Sequence, residues 1–184
     1  DYGIFWYLYL DGTIELEMKL TGILGISALN EEIHNPKQDM KITEELVSPI
    51  HQHLFNVRID WFLDGGQNKL IETNAERVPI GNKNPHGTQF QAISNHLKKE
   101  SEAKRNIAPE KSRVWKITNP NKKNSIGSES AYKFLPGYSP VLLSDFDSPT
   151  GKRASFAKYN LWATPFEKGE ISGGGRFTVM HQGQ

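Results

Sequence analysis

His51 and His53, one residue apart, are the pair in this chain whose types and spacing suit metal chemistry. In extended backbone, residues i and i+2 project to the same side about 6.5 Å apart along the chain, so two imidazoles can meet on one ion. Imidazole nitrogen suits copper, zinc, iron and nickel. The competing reading is two half-exposed strand residues that share a face, the commoner fate of a bare H-x-H. Against it stands the run that follows. His51, His53, Phe55, Val57, Ile59, Trp61 and Leu63 form one face of a period-two pattern, with Gln52, Leu54, Asn56, Arg58, Asp60 and Phe62 on the other. A polar group on a face that turns strictly apolar is costly without a ligand or hydrogen bond. A third ligand is missing from the pattern.

Other candidates carry less. His34, His86, His96 and His181 stand beside Asn, Pro, Gln or Gly and read as solvated surface imidazoles. "DFDSPTGK" invites comparison with a calcium loop. With Asp145 as its first position, however, the glycine position holds Thr150 and the bidentate glutamate position holds Phe156. "GGGRFT" lacks the Gly-Lys-Ser/Thr of a phosphate loop, and no G-x-S-x-G nucleophile setting occurs.

The elements that must position the histidine pair read as strands. Residues 51–63 alternate like one and end at the turn Asp64-Gly65-Gly66. Upstream, "IFWYLYL", Asp11-Gly12 and "TIELEMKL" predict a β-hairpin whose second strand has a wet face of Glu15, Glu17 and Lys19. Residues 31–47, with Pro36, read as a loop with at most one helical turn. Further strands are expected at "KLIETNAERV", "TQFQAIS", "SRVWKITNP", "SAYKFLP", "PVLLSDF" and "RASFAKYNLWATPF". "HLKKESEAKRN" has helix-forming residues but no apolar stripe, so helix and loop stand level there. Short strands between frequent turn signals predict an all-β sandwich, with residues 1–184 belonging to one domain. The opening Asp1-Tyr2 and the Gly-rich tail read as cut ends.

Composition narrows the function classes. The 184 residues, 36% hydrophobic, suffice for a single core. Twenty-two basic against twenty-one acidic side chains, unblocked, give no footprint for nucleic acid or an anionic membrane. No apolar run reaches the length of a membrane-spanning helix, about 20 residues. The absence of cysteine excludes disulfides and thiolate ligands.

Taken in order, "YLYLDGTIELEMKLTGIL", "HQHLFNVRIDWFLDG", "ESEAKR", "SRVWKITNPNKKN", "AYKF" and "RASFAKYNLWATPF" resemble the C-terminal catalytic domain of the copper-containing amine oxidases, the topaquinone enzymes. The resemblance spans essentially the whole chain. It implies a tyrosine, in an Asn-Tyr-Asp/Glu-Tyr motif, oxidised in place to topaquinone. Asp1 and Tyr2 match the last two positions, so the precursor tyrosine would precede Asp1. It implies copper(II) held by His51 and His53, with a third histidine from a later motif that His181 does not carry. It also implies a second, peripheral metal, usually calcium, with Asp60 as first ligand and the Trp61 carbonyl beside it. Phe62 departs from members that place an aspartate there, and Asp60 reads equally as an exposed carboxylate pairing with Arg58.

The implied reaction converts a primary amine, water and dioxygen to aldehyde, ammonia and hydrogen peroxide in a homodimeric protein. The 184-residue chain alone is expected to be inactive, because the catalytic aspartate and the quinone tyrosine both lie upstream in the family. Rival readings are a degenerate, non-catalytic relative, a β-sandwich binding module, and a cupin-like iron enzyme. The last would want a glutamate where Asn56, Val57 and Arg58 stand. Compartment is left open, since family members occur in peroxisomes, in the periplasm and outside cells.

Overall fold

Alternating residues on either side of Asp11-Gly12 produce the first element, a hairpin. A computed structural model describes residues 1–169 apart from 31, 33, 34 and 138. The chain divides into two compact units, Asp1–Gln52 and His53–Gln184. In the first, β1 (Tyr2–Leu8) and β2 (Ile14–Leu20) pair antiparallel, from Tyr2 opposite Leu20 to Leu8 opposite Ile14. Gly12 supplies the turn's positive φ of 86°, and the Asp11 carboxylate accepts the Thr13 N–H at 2.9 Å. On one face the Tyr7 and Tyr9 hydroxyls donate diagonally across the strands to Glu17 and Glu15, at 2.6 and 2.8 Å. The wet face expected of β2 is thus a tyrosine–glutamate ladder.

The region read as loop, 31–47, is more ordered than expected. β3 (Ser27–Ala28), β4 (Asp39–Lys41) and β5 (Leu46–Pro49) form a small antiparallel sheet in the order β3-β5-β4. Strands of two to four residues are too short to show alternation in sequence, which is why the pattern hid them. Val47 and Ser48 on the central β5 are the buried pair of this unit.

The second unit is built on a four-stranded antiparallel sheet of β6 (Lys69–Arg77), β7 (Phe90–His96), β9 (Val114–Lys123) and β10 (Glu129–Phe134), ordered β10-β9-β6-β7. All four match expected strands. Short β8 (Lys104–Arg105) pairs with β11 (Leu161–Trp162). Pro120 cannot donate to a ladder, and the register there breaks: Glu129 faces Lys123 while Ser130 faces Asn119. One sheet face buries Trp115 and Ile117, and Ala103, Ala108, Leu142 and Ala157 complete the core of this unit.

The all-β expectation holds, with three local corrections. "HLKKESEAKRN" gives only a 3₁₀ turn at Glu100–Glu102 followed by β8, since no apolar stripe offers a helix face to bury. "PVLLSDF" forms no strand, and "RASFAKYNLWATPF" forms mostly none. Just ahead of the latter, α1 (Pro149–Arg153) is capped by Ser148, whose hydroxyl accepts the Gly151 N–H at 2.9 Å. A Cβ on buried Gly151 would lie 2.7 Å from Phe146 Cα, so glycine is required. The third correction concerns the histidine segment: residues 51–62 belong to no strand. Period two marks an extended backbone, but a strand also needs a neighbour to bond with. Here the apolar side chains Phe55, Val57 and Ile59 remain 42%, 42% and 41% exposed.

Candidate metal centre

His51 follows β5, and its imidazole Nδ1 lies 3.0 Å from the Pro49 carbonyl oxygen. A carbonyl only accepts, so Nδ1–H is the donor of this bond. That is the arrangement of a metal-binding histidine, whose second nitrogen is fixed by a carbonyl or carboxylate. His53, the first residue of the second unit, is exposed.

From His53 onward the contacts of the segment include those of Arg58, Trp61 and Leu63. Arg58 donates from Nη2 to the Glu167 carbonyl at 2.8 Å, its guanidinium 5.5 Å from the Phe166 ring centroid. The anticipated partner Asp60 is therefore not its main contact. Trp61 packs at 5.8 Å, ring centroid to ring centroid, against Tyr132 of β10. Leu63 is bound on both sides of its peptide: its N–H donates to Asn68 Oδ1 at 3.0 Å, and its carbonyl accepts from Asn68 Nδ2 at 3.2 Å and Asn119 Nδ2 at 2.8 Å.

Asp60 is exposed, Trp61 is half-buried, and Phe62 is 78% exposed where a second carboxylate would stand. Asp1 and Tyr2 open the hairpin; Asp1 O accepts the Thr21 N–H at 2.9 Å, and both residues are exposed. His86 and His96 are exposed as expected, whereas His34 and His181 lie outside the described residues. Among the described residues no three His, Asp or Glu side chains gather into a metal-holding group. "DFDSPTGK" is the turn into α1, with Asp145 Oδ1 accepting the Asp147 N–H at 2.7 Å. No helix among the described residues is long and apolar enough to cross a membrane.

A buried ionic cluster went unread in the sequence. Glu72 on β6, 1% exposed, accepts from Arg105 Nε at 2.7 Å, Arg105 Nη2 at 2.6 Å and Trp115 Nε1 at 3.0 Å. Arg113 adds its charge at 3.3 Å and donates from Nε to Asn74 Oδ1 at 2.8 Å. Burial pushes the Glu72 carboxyl up, but Arg105, Arg113 and the Asn74 amide together outweigh it and hold it below the ordinary 4.5. The available signal was the alternation that puts Glu72 and Asn74 on one face of an expected strand.

The family description "Copper amine oxidase, enzyme domain" matches residues 1–184, the whole chain. The chain belongs to the copper amine oxidase family. Among the relatives of this copper amine oxidase chain, the histamine oxidase of Arthrobacter globiformis is 41% identical over 100% of the chain and 26% of its own length. The primary amine oxidase of Arthrobacter sp. strain P1 is 37% identical over 96% of the chain and 27% of its own length. The peroxisomal N-methylputrescine oxidase 1 of Nicotiana tabacum is 34% identical, with 96% and 23% covered. The crystal structure of a copper-containing benzylamine oxidase from Hansenula polymorpha superposes with a TM-score of 0.83 at 28% identity, covering 92% of this chain and 27% of that one. The chain thus spans about a quarter of the length of the proteins it matches.

Proposed function

We propose that this chain is the part of a copper and topaquinone primary amine oxidase that carries two copper ligands, His51 and His53. The observation that supports the reading is the hydrogen bond from His51 Nδ1 to the Pro49 carbonyl, 3.0 Å, the kind of bond by which a metal-binding imidazole is oriented through its other nitrogen. Two imidazoles suit Cu(II) as part of a nitrogen shell, and the donor that completes it has no counterpart among the described residues. When bound, copper and the quinone supply the two-electron oxidation of the amine and the reduction of dioxygen to peroxide. The chain's own share is positional: Pro49 O holds the proton at Nδ1 of His51, while Arg58, Trp61 and Leu63 hold the run that follows His53.

The reading includes a primary amine and dioxygen as substrates. It also includes a quinone tyrosine placed just before Asp1, a homodimer, and one domain to which residues 1–184 all belong. Asp60 and the Trp61 carbonyl are proposed as two oxygen donors to a second ion, calcium, with Phe62 reducing the carboxylates on offer. A hard cation that takes six to eight oxygens needs the remainder from elsewhere.

The test is amine-dependent peroxide release by the parent protein. Activity with methylamine, benzylamine or histamine that disappears in both His51→Ala and His53→Ala supports the proposal. Undiminished release in both variants would refute it.

A further inference from the structure

The tripeptide Leu-Asp-Gly occurs twice, at Leu10-Asp11-Gly12 and at Leu63-Asp64-Gly65. Aspartate followed by glycine can react with its own main chain, because glycine has no Cβ to hinder the approach of its nitrogen. The glycine nitrogen bonds to the aspartate Cγ, the Cγ–OH bond breaks, and water leaves to give a cyclic imide. Water then cleaves one of the two C–N bonds of the ring. Cleavage at Cγ restores aspartate, whereas cleavage at the former main-chain carbonyl carbon leaves isoaspartate, with an extra carbon in the backbone. Water is the only co-reactant.

The two copies are bonded differently. In the hairpin turn both reacting groups are engaged. Gly12 N–H donates to the Tyr9 carbonyl at 3.0 Å, so its nitrogen must give up a bond before it attacks. Asp11 Oδ1 accepts the Thr13 N–H at 2.9 Å. That bond and the Thr13 hydroxyl hold the Asp11 carboxyl below the ordinary carboxylate range, leaving less of the neutral acid whose OH departs. At the second copy Asn119 Nδ2 donates instead to main-chain carbonyls, Asp64 at 3.0 Å and Leu63 at 2.8 Å. When the Gly65 nitrogen gives up its proton, charge spreads onto the Asp64 carbonyl oxygen, and the Asn119 N–H is already aimed there. The backbone is also costly at this turn: φ is 52° at Asp64, which carries a side chain, and 132° at Gly65. The extra rotatable bond of isoaspartate relaxes that constraint. Asp64 is exposed, within reach of water.

We propose that Asp64 is a site of spontaneous isoaspartate formation, and that the hairpin turn shields Asp11 from the same reaction. The proposal stands apart from the copper reading, since it involves neither histidine. Its product lengthens the main chain between Leu63, whose peptide Asn68 and Asn119 hold, and β6. It also carries a free α-carboxylate, the group that an isoaspartyl carboxyl methyltransferase labels.

The experiment ages the parent protein in mildly acidic buffer, folded and in urea. Peptides containing Asp11 and Asp64 are then assayed for isoaspartate, by methyl labelling with that enzyme and by resistance to a protease that cuts before aspartate. In the folded protein isoaspartate is expected about tenfold faster at Asp64 than at Asp11, the scale of the one hydrogen bond that Gly12 must break. In urea the two rates should converge, since both sites share the tripeptide. Asp64→Glu, whose imide would need a larger ring, should abolish the signal in its peptide. Absence of isoaspartate at Asp64 in the folded protein would overturn the site, and equal rates there would overturn the shielding of Asp11. A gap that persists in urea would assign the difference to Thr13 against Gly66 in the sequence, and would overturn the argument from the two turns.

Discussion

β9 and the segment 51–63 are written in the same alternating code, yet they come out differently. In β9 one face closes over Trp115 and Ile117 while its backbone is shared between β6 and β10. In 51–62 Phe55, Val57 and Ile59 stay about two-fifths exposed, and no ladder forms with the described residues. The contrast shows that alternation alone does not make a paired, buried strand: burial is a property of the partner. β9 finds its partners within this chain. The histidine segment has side-chain and turn contacts, among them those of Arg58, Trp61 and Leu63.

The largest effect expected is on the closed side of this comparison. Glu72→Gln leaves two guanidinium groups facing a neutral amide in a buried setting and should cost about 3 kcal/mol, measured by urea unfolding. His53→Ala should change stability by far less, and equal losses would break the distinction between the two regions. Next is Trp115→Phe, which keeps the ring against the core but removes the indole N–H from Glu72, a charged acceptor. A loss of about 2 kcal/mol is expected.

The same cluster fixes a pH dependence. Because the folded-state pKa of Glu72 is lowered, its contribution is fully present above the ordinary value of 4.5 and is lost as pH falls through the lower folded value. Unfolding midpoints should therefore fall below pH 4.5 in the wild-type protein and fall less in Glu72→Gln. Parallel curves would contradict the assignment.

The smallest effect is on the open side. Arg58→Ala removes one hydrogen bond and one ring contact at an exposed site, costing less than about 1 kcal/mol, yet it should raise amide exchange within 53–62. Unchanged exchange there would remove Arg58 from the tethers.

How much of this was legible in the sequence follows from the same contrast. The β1–β2 hairpin could be read because Asp11-Gly12 fixes its own turn, and β6, β7, β9 and β10 because each alternates over enough residues. β4 and β5 were hidden by their shortness. The Glu72 cluster was hidden because Arg105 and Arg113 reach it from outside β6, and single-strand periodicity does not see such contacts. At the candidate site, the residue types and spacing of His51 and His53 were visible. The bond from His51 Nδ1 to the Pro49 carbonyl, and the Asn68 and Asn119 grip on Leu63, were not, since residue periodicity does not report which main-chain atoms a side chain meets.

The most direct measurement is the copper content of the parent protein, purified with copper, as wild type, as His53→Ala, and as His96→Ala, an exposed histidine on β7. Full copper is expected in wild type and His96→Ala, with loss of it in His53→Ala. Full copper retained in His53→Ala would contradict the claim that this segment holds the metal.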